Sequence, residues 1–179
     1  MATLVRVSMD LPGPVNSVVA LLRNEDFLRW RCAQNRELRE SFVSLDAGGG
    51  LVRFASSARL PLTWVPERVH RYLPMSPQIS REERWDVGGA APAGTGGYDV
   101  VGLPARAQAS MELRPLGADR SRIDYRIEVM VTAPLVGSTI ERMVAQKVTT
   151  ALRHELAGYG RYGLPAVPAG EDGRADPRR

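Results

Sequence analysis

The chain has 179 residues, 44% of them hydrophobic and 25% charged, with a net charge of +4. That length suits one domain with a sizeable core, and no apolar run approaches the roughly 20 residues of a membrane-spanning helix. Cys32 is the only cysteine, which excludes an internal disulfide and any zinc site built on several thiolates.

The basic balance invites a nucleic-acid reading, which requires clustered cations to neutralise phosphates. Here Arg6, Arg53, Arg84, Arg114 and Arg126 are scattered among acids and Lys147 is the sole lysine, so nucleic acid is not an expected partner. The N-terminal residues lack the basic-then-apolar pattern of a signal peptide, and the expected location is cytoplasmic.

Val5, Val7, Met9 and Leu11 alternate with polar residues, the period of a strand with one buried face, and Pro12-Gly13-Pro14 ends it. Val15, Val18, Val19 and Leu22 then recur at helical spacing, and Asn24 is placed to cap a second short helix through Trp30. Glu37–Leu45 and Leu51–Ala55 are two strands joined by a glycine-rich turn.

The prolines of Leu60–Pro66 argue against a central strand, leaving a short edge segment or a loop before a helical turn over Pro66–Tyr72. Gln78–Val87 is a strand, Gly88–Gly97 a flexible connector, Tyr98–Val101 a short strand and Ala105–Arg114 a long one. In the last strand Ile123, Tyr125, Ile127, Val129 and Val131 face one way and Asp124, Arg126 and Glu128 the other.

A helix over Ser138–Tyr159 carries an apolar stripe that includes Ile140, Val144, Val148, Leu152 and Leu156. Beyond it the Pro-, Gly- and charge-rich residues cannot bury enough apolar area to offset their ordering entropy. The expected division is therefore a domain over 1–162 and a disordered tail over 163–179.

This order of elements is an α+β layout in which the last helix covers the apolar face of an antiparallel sheet. Two stretches carry a resemblance to a known superfamily. Leu11–Leu22, opening Leu11-Pro12-Gly13-Pro14, with Glu25–Trp30 after it, resembles the first strand exit and helix pair of START-like (SRPBCC) proteins. Val131–Glu141, entering the final helix, resembles an uncharacterised actinobacterial branch of that superfamily.

The resemblance implies a helix-grip fold, a curved antiparallel sheet wrapped around a long C-terminal helix, with two short helices after the first strand. It also implies a cavity for a hydrophobic small molecule, such as a lipid or polyketide. No cofactor or metal is implied.

Catalytic groups are scarce: His70 and His154 are the only histidines. No His-Glu-x-x-His, Gly-x-Ser-x-Gly, P-loop or dinucleotide fingerprint is present, and Gly94-Thr95-Gly96-Gly97 opens no helix that would hold a phosphate. Lys147 and His154 fall seven residues apart on the side of the last helix that carries Ala151, and are candidates to orient a guest in the cavity. Their alternative is to lie at the edge of the stripe and reach water.

Arg81 and Glu83 share a strand face with Trp85, so they are either buried and mutually paired or returned to solvent by a bulge. Trp64, Trp85, Tyr98, Tyr125 and Ile127 are candidate lining, with plain core packing as their alternative. Three functions compete. The first is a non-enzymatic carrier; the second a cyclase or dehydratase using Glu83, His154 or Tyr125 as acid or base. The third is an interaction module with a collapsed cavity, docking a protein or making transient contact with an anionic membrane surface.

Overall fold

The structure, a computed structural model, describes residues 2–35, 37–64, 67–70, 77–101, 104–132 and 137–163, with the backbone alone at 68 and 69. Strand β1 (Thr3–Pro12) is followed by helices α1 (Val15–Leu22) and α2 (Glu25–Gln34) and the hairpin of β2 (Ser41–Gly48) and β3 (Leu51–Arg59). After a 3₁₀ turn at Leu62–Trp64 and the short α3 (Glu67–His70) come β4 (Gln78–Asp86), β5 (Ala93–Val100), β6 (Ala105–Pro115) and β7 (Arg120–Val131). The helix α4 (Gly137–Tyr162) ends the described chain.

All seven strands form one antiparallel sheet in the order β1-β7-β6-β5-β4-β3-β2. This is the helix-grip α+β fold. The first strand pairs with the last, Val5 opposite Ile127 and Val7 opposite Tyr125, so the alternating patterns of both put their apolar sides on one face. Ile123, Tyr125, Ile127 and Val129 are all buried there.

Asn24 caps α2 as its side chain predicts, its Oδ1 accepting from the Phe27 N–H at 2.8 Å, with Glu25 and Asp26 in the first turn suiting the helix dipole. The α2 ring of Phe27 packs on Tyr159 of α4 at 4.8 Å and on Tyr162 at 5.1 Å. Gly158 lets α4 approach Trp30: a Cβ there would lie 3.1 Å from the indole. One end of α4 is thereby locked onto α2.

Two sequence expectations are corrected, and a third holds. The strand expected from Glu37 starts at Ser41, because Arg39 takes a positive φ of 45° and its N–H closes a turn onto the Asn35 carbonyl. The Leu60–Pro66 stretch is, as expected, no central strand: a 3₁₀ turn at 62–64 precedes the helical turn α3, and residues 65, 66, 71 and 72 lie outside the described residues.

The flexible connector assigned to Gly88–Gly97 is a strand from Ala93 onwards. Its glycines serve packing: a Cβ on Gly94 would sit 2.9 Å from the Arg84 carbonyl oxygen, from Met111 Cε and from the Trp85 ring. Gly94→Ala is therefore expected to destabilise the fold by about 1–3 kcal/mol through overpacking. Urea unfolding checks this by a fall in midpoint at unchanged slope.

Candidate functional site

The apolar faces of β7 and α4 meet at one end and part at the other. Towards the C-terminal end of α4, Leu156 and Tyr159 are fully buried in the same core as Ile123 and Leu113. Towards its N-terminal end, Ile127, Val129 and Val131 of β7 stand across from Ile140, Val144 and Val148 with a cavity of about 170 Å³ between them.

The angle of α4 is set where it begins. Glu141, buried, accepts from the Val131 N–H at 3.0 Å and from the Thr3 hydroxyl at 3.3 Å. Gly137 allows the turn, since a Cβ there would lie 2.7 Å from the Val131 carbonyl oxygen. The helix is thus tied to β7 and β1 at its first turn and to α2 near its last, with the cavity in between.

The cavity wall is largely apolar. Leu60, Trp64, Ile79, Val100 and Ala107 are among its other apolar residues, and the Trp64 indole is fixed by donating to Glu37 at 2.9 Å. Glu40, Ser56, Arg81, Tyr98 and Glu155 reach the lining together, and Asn35 and Arg106 are its other described polar residues.

Glu40, Arg81 and Glu155 belong to a buried ion cluster. Arg81 pairs with Glu155 through two bonds, at 2.9 and 2.8 Å, with Glu83 from Nε at 2.9 Å and with Glu40 at 3.3 Å. Arg31 of α2 reaches the far side of Glu83 at 3.3 Å, Glu155 at 3.4 Å and the Tyr159 hydroxyl at 3.3 Å. The guanidinium of Arg31 lies over the Phe54 ring at 4.6 Å, and that of Arg81 over Tyr98 at 5.4 Å.

Burial alone would raise the Glu83 carboxyl, but the Arg81 and Arg31 guanidiniums beside it outweigh burial and hold it down to about 2. Glu155 is lowered by the same contest between burial and the two arginines. Burial pushes the Tyr159 hydroxyl up to about 12 and Cys32 to about 12, and it raises Tyr98 and Tyr125 as well. Glu83 and Glu155 are therefore ionised at neutral pH, and these phenols and the thiol are not.

Trp64, Arg81, Tyr98, Ile127 and Ala151 line the cavity. Glu83 lies behind Arg81 in the ion cluster, and Trp85 and Tyr125 are buried in the core, each with a polar atom, Nε1 and the hydroxyl, unpaired among the described residues. None of these three reaches the lining.

Lys147 and His154, expected in the cavity, are corrected: Lys147 is half-buried, His154 is exposed, and neither lines it. The inward line of α4 runs Val144, Val148, Leu152 and Glu155. At about 100° per residue, Lys147 is turned a quarter circle from Val148 and His154 from Glu155. Of the three acid/base candidates, Glu83 is an ionised partner of two arginines, Tyr125 is a core phenol and His154 faces out.

Arg31, Glu40 and Glu155 escaped the sequence reading. Two of them left a trace: Arg31 shares the buried side of α2 with Phe27 and Leu28, at spacings of four and three, and Glu155 falls within the apolar line of α4. A charge in phase with a buried stripe signals a buried partner.

Solved structures share this fold. The Zhui aromatase/cyclase from Streptomyces sp. R1128 matches with a TM-score of 0.61 at 10% identity, over 89% of this chain and 92% of that one. Human STARD10 matches with a TM-score of 0.58 at 12% identity, over 89% of this chain and 64% of that one. A START superfamily protein from Mycobacterium smegmatis matches with a TM-score of 0.52 at 11% identity, over 88% and 95%. The fold is START-like; at these identities the likeness is one of fold alone. A family model described as a protein of unknown function, DUF2505, matches residues 6–159. No curated protein matches the chain.

Proposed function

Since the chain belongs to the DUF2505 family and has the START-like fold, we propose that it is a non-enzymatic, cytoplasmic binder or carrier of a compact apolar molecule, with residues 1–162 as its ligand-binding domain. The observation that supports this reading is the cavity of about 170 Å³ where β7 and α4 part company. Apolar cavities of about 150 Å³ stay dry and take up benzene. The guest is accordingly of single-ring size, far shorter than an extended acyl chain.

The fold of an aromatase/cyclase is shared, but the groups proposed for acid/base work do not line the cavity, which favours binding over catalysis. Full-length protein purified natively is expected to release an apolar compound into organic solvent, seen as a mass increment in native mass spectrometry. A chain that carries no such compound and takes up no added toluene would contradict the proposal.

A further inference from the structure

We infer that the guest carries a hydroxyl donor and that the cavity discriminates against carboxylates. The inference rests on the cavity being the binding site and adds the chemical class of what enters it.

Among the described residues two arginines reach the lining: Arg106 is exposed on the outward-facing register of β6, and Arg81, the one at the ion cluster, has no donor left for a guest. A guanidinium has five N–H groups. In Arg81, Nε donates to Glu83, Nη1 to Glu40 and Glu155, and Nη2 to Glu83 and Glu155. The usual partner of a carboxylate guest is therefore consumed.

The surrounding charge points the same way. Three carboxylates, Glu40, Glu83 and Glu155, meet two guanidiniums, Arg31 and Arg81, leaving the cluster with a net negative charge. A second anion beside it would be repelled in a poorly screened interior.

Acceptor capacity, in contrast, is left over. Glu40, whose side chain is 4% exposed, accepts from Ser56 and Arg81 through Oε1 alone, and its Oε2 makes no hydrogen bond among the described residues. Glu40 lines the cavity, so a guest hydroxyl can donate to Oε2 as a charge-assisted bond. The Tyr98 hydroxyl, also at the lining and also without a hydrogen bond among the described residues, can donate to the guest oxygen in return.

Toluene, phenol and benzoate are close in size and differ in this property, so their dissociation constants for the full-length protein, measured by NMR titration at pH 7, test the inference. Phenol is expected to bind about tenfold more tightly than toluene, the return of one net hydrogen bond of about 1.4 kcal/mol. Benzoate is expected at least tenfold weaker than toluene. Glu40→Gln is expected to narrow the phenol-to-toluene ratio.

Phenol binding no better than toluene, benzoate binding as well as phenol, or an unchanged ratio in Glu40→Gln would each overturn the inference while leaving the cavity as a binding site. Failure of all three compounds to bind would instead overturn the binding reading itself. The wild-type ranking decides even if the variant does not fold.

Discussion

Arg81→Met is expected to lower stability by about 3–5 kcal/mol, the usual cost of stripping one partner from a buried ion pair. Among the described residues Arg81 alone bridges Glu40, Glu83 and Glu155 at once, and each of the three would be left with a weaker counter-charge or none. At about 2–4 °C per kcal/mol for a chain of this size, the melting temperature should fall by roughly 6–20 °C. The exposed Arg29–Glu25 pair, both side chains half in water, provides the contrast: Arg29→Ala should cost no more than about 0.5 kcal/mol.

The same cluster sets an acid limit. Glu83 is held near 2 in the fold against 4.5 in the unfolded chain. A depressed carboxylate stabilises the folded state fully above the unfolded value, and that contribution disappears as pH falls from about 4.5 towards 2. Glu155, lowered by the same arginines, adds to the loss in the same direction. Arg81→Met removes the larger of the two attractions on each and brings their folded values back towards the unfolded ones, so the variant, less stable at pH 7, should lose less further stability on acidification than the wild type. Urea midpoints at steps between pH 7 and pH 2 report both effects, and a midpoint that does not move with pH would contradict them.

The second large effect is on binding. Val148→Trp should place an indole in the cavity and weaken toluene binding at least tenfold, without loss of stability, because filling a void commonly stabilises by about 0.5–2 kcal/mol. Leu156→Ala is the converse. Leu156 is fully buried two turns further along the same helix, where the helix and sheet are in contact, and its truncation should cost about 2–5 kcal/mol. Thermal unfolding together with toluene titration separates the two: one variant loses the guest and keeps the fold, and the other does the reverse.

The sequence made the frame of this molecule readable and much of its chemistry unreadable, for physical reasons. Alternation in β1 and β7 marks one buried face directly, because in a two-residue period only one assignment puts Val5, Val7, Ile123 and Ile127 together. The strand at Ala93–Val100 was obscured because its residues are chosen by what lies across them: Trp85 and Met111 fill the space that a side chain on Gly94 would take. Composition reads such a segment as a connector; only the neighbours reveal it as a strand.

The polar side of the cavity is harder still. Arg31, Glu40, Glu155 and the β4 pair Arg81 and Glu83 come from four separate stretches of chain, and no local spacing links one stretch to another. The face shared by Arg81 and Glu83 was visible, but the identity of their other partners depends on how α2 and α4 cross the sheet. An error of a quarter turn on α4 was enough to favour Lys147 and His154 over Val148 and Glu155. Helical periodicity locates a stripe; it does not give its centre to better than one residue.

The decisive measurement is a methyl NMR titration of the full-length protein with toluene. A guest lodged between β7 and α4 should shift the methyl signals of Ile127, Val129, Val144 and Val148 together and leave those of Val18, Leu22 and Ile123 in place. If the first group stays still at saturating toluene, or if the shifts appear only among the second, the space between sheet and helix is not a binding site.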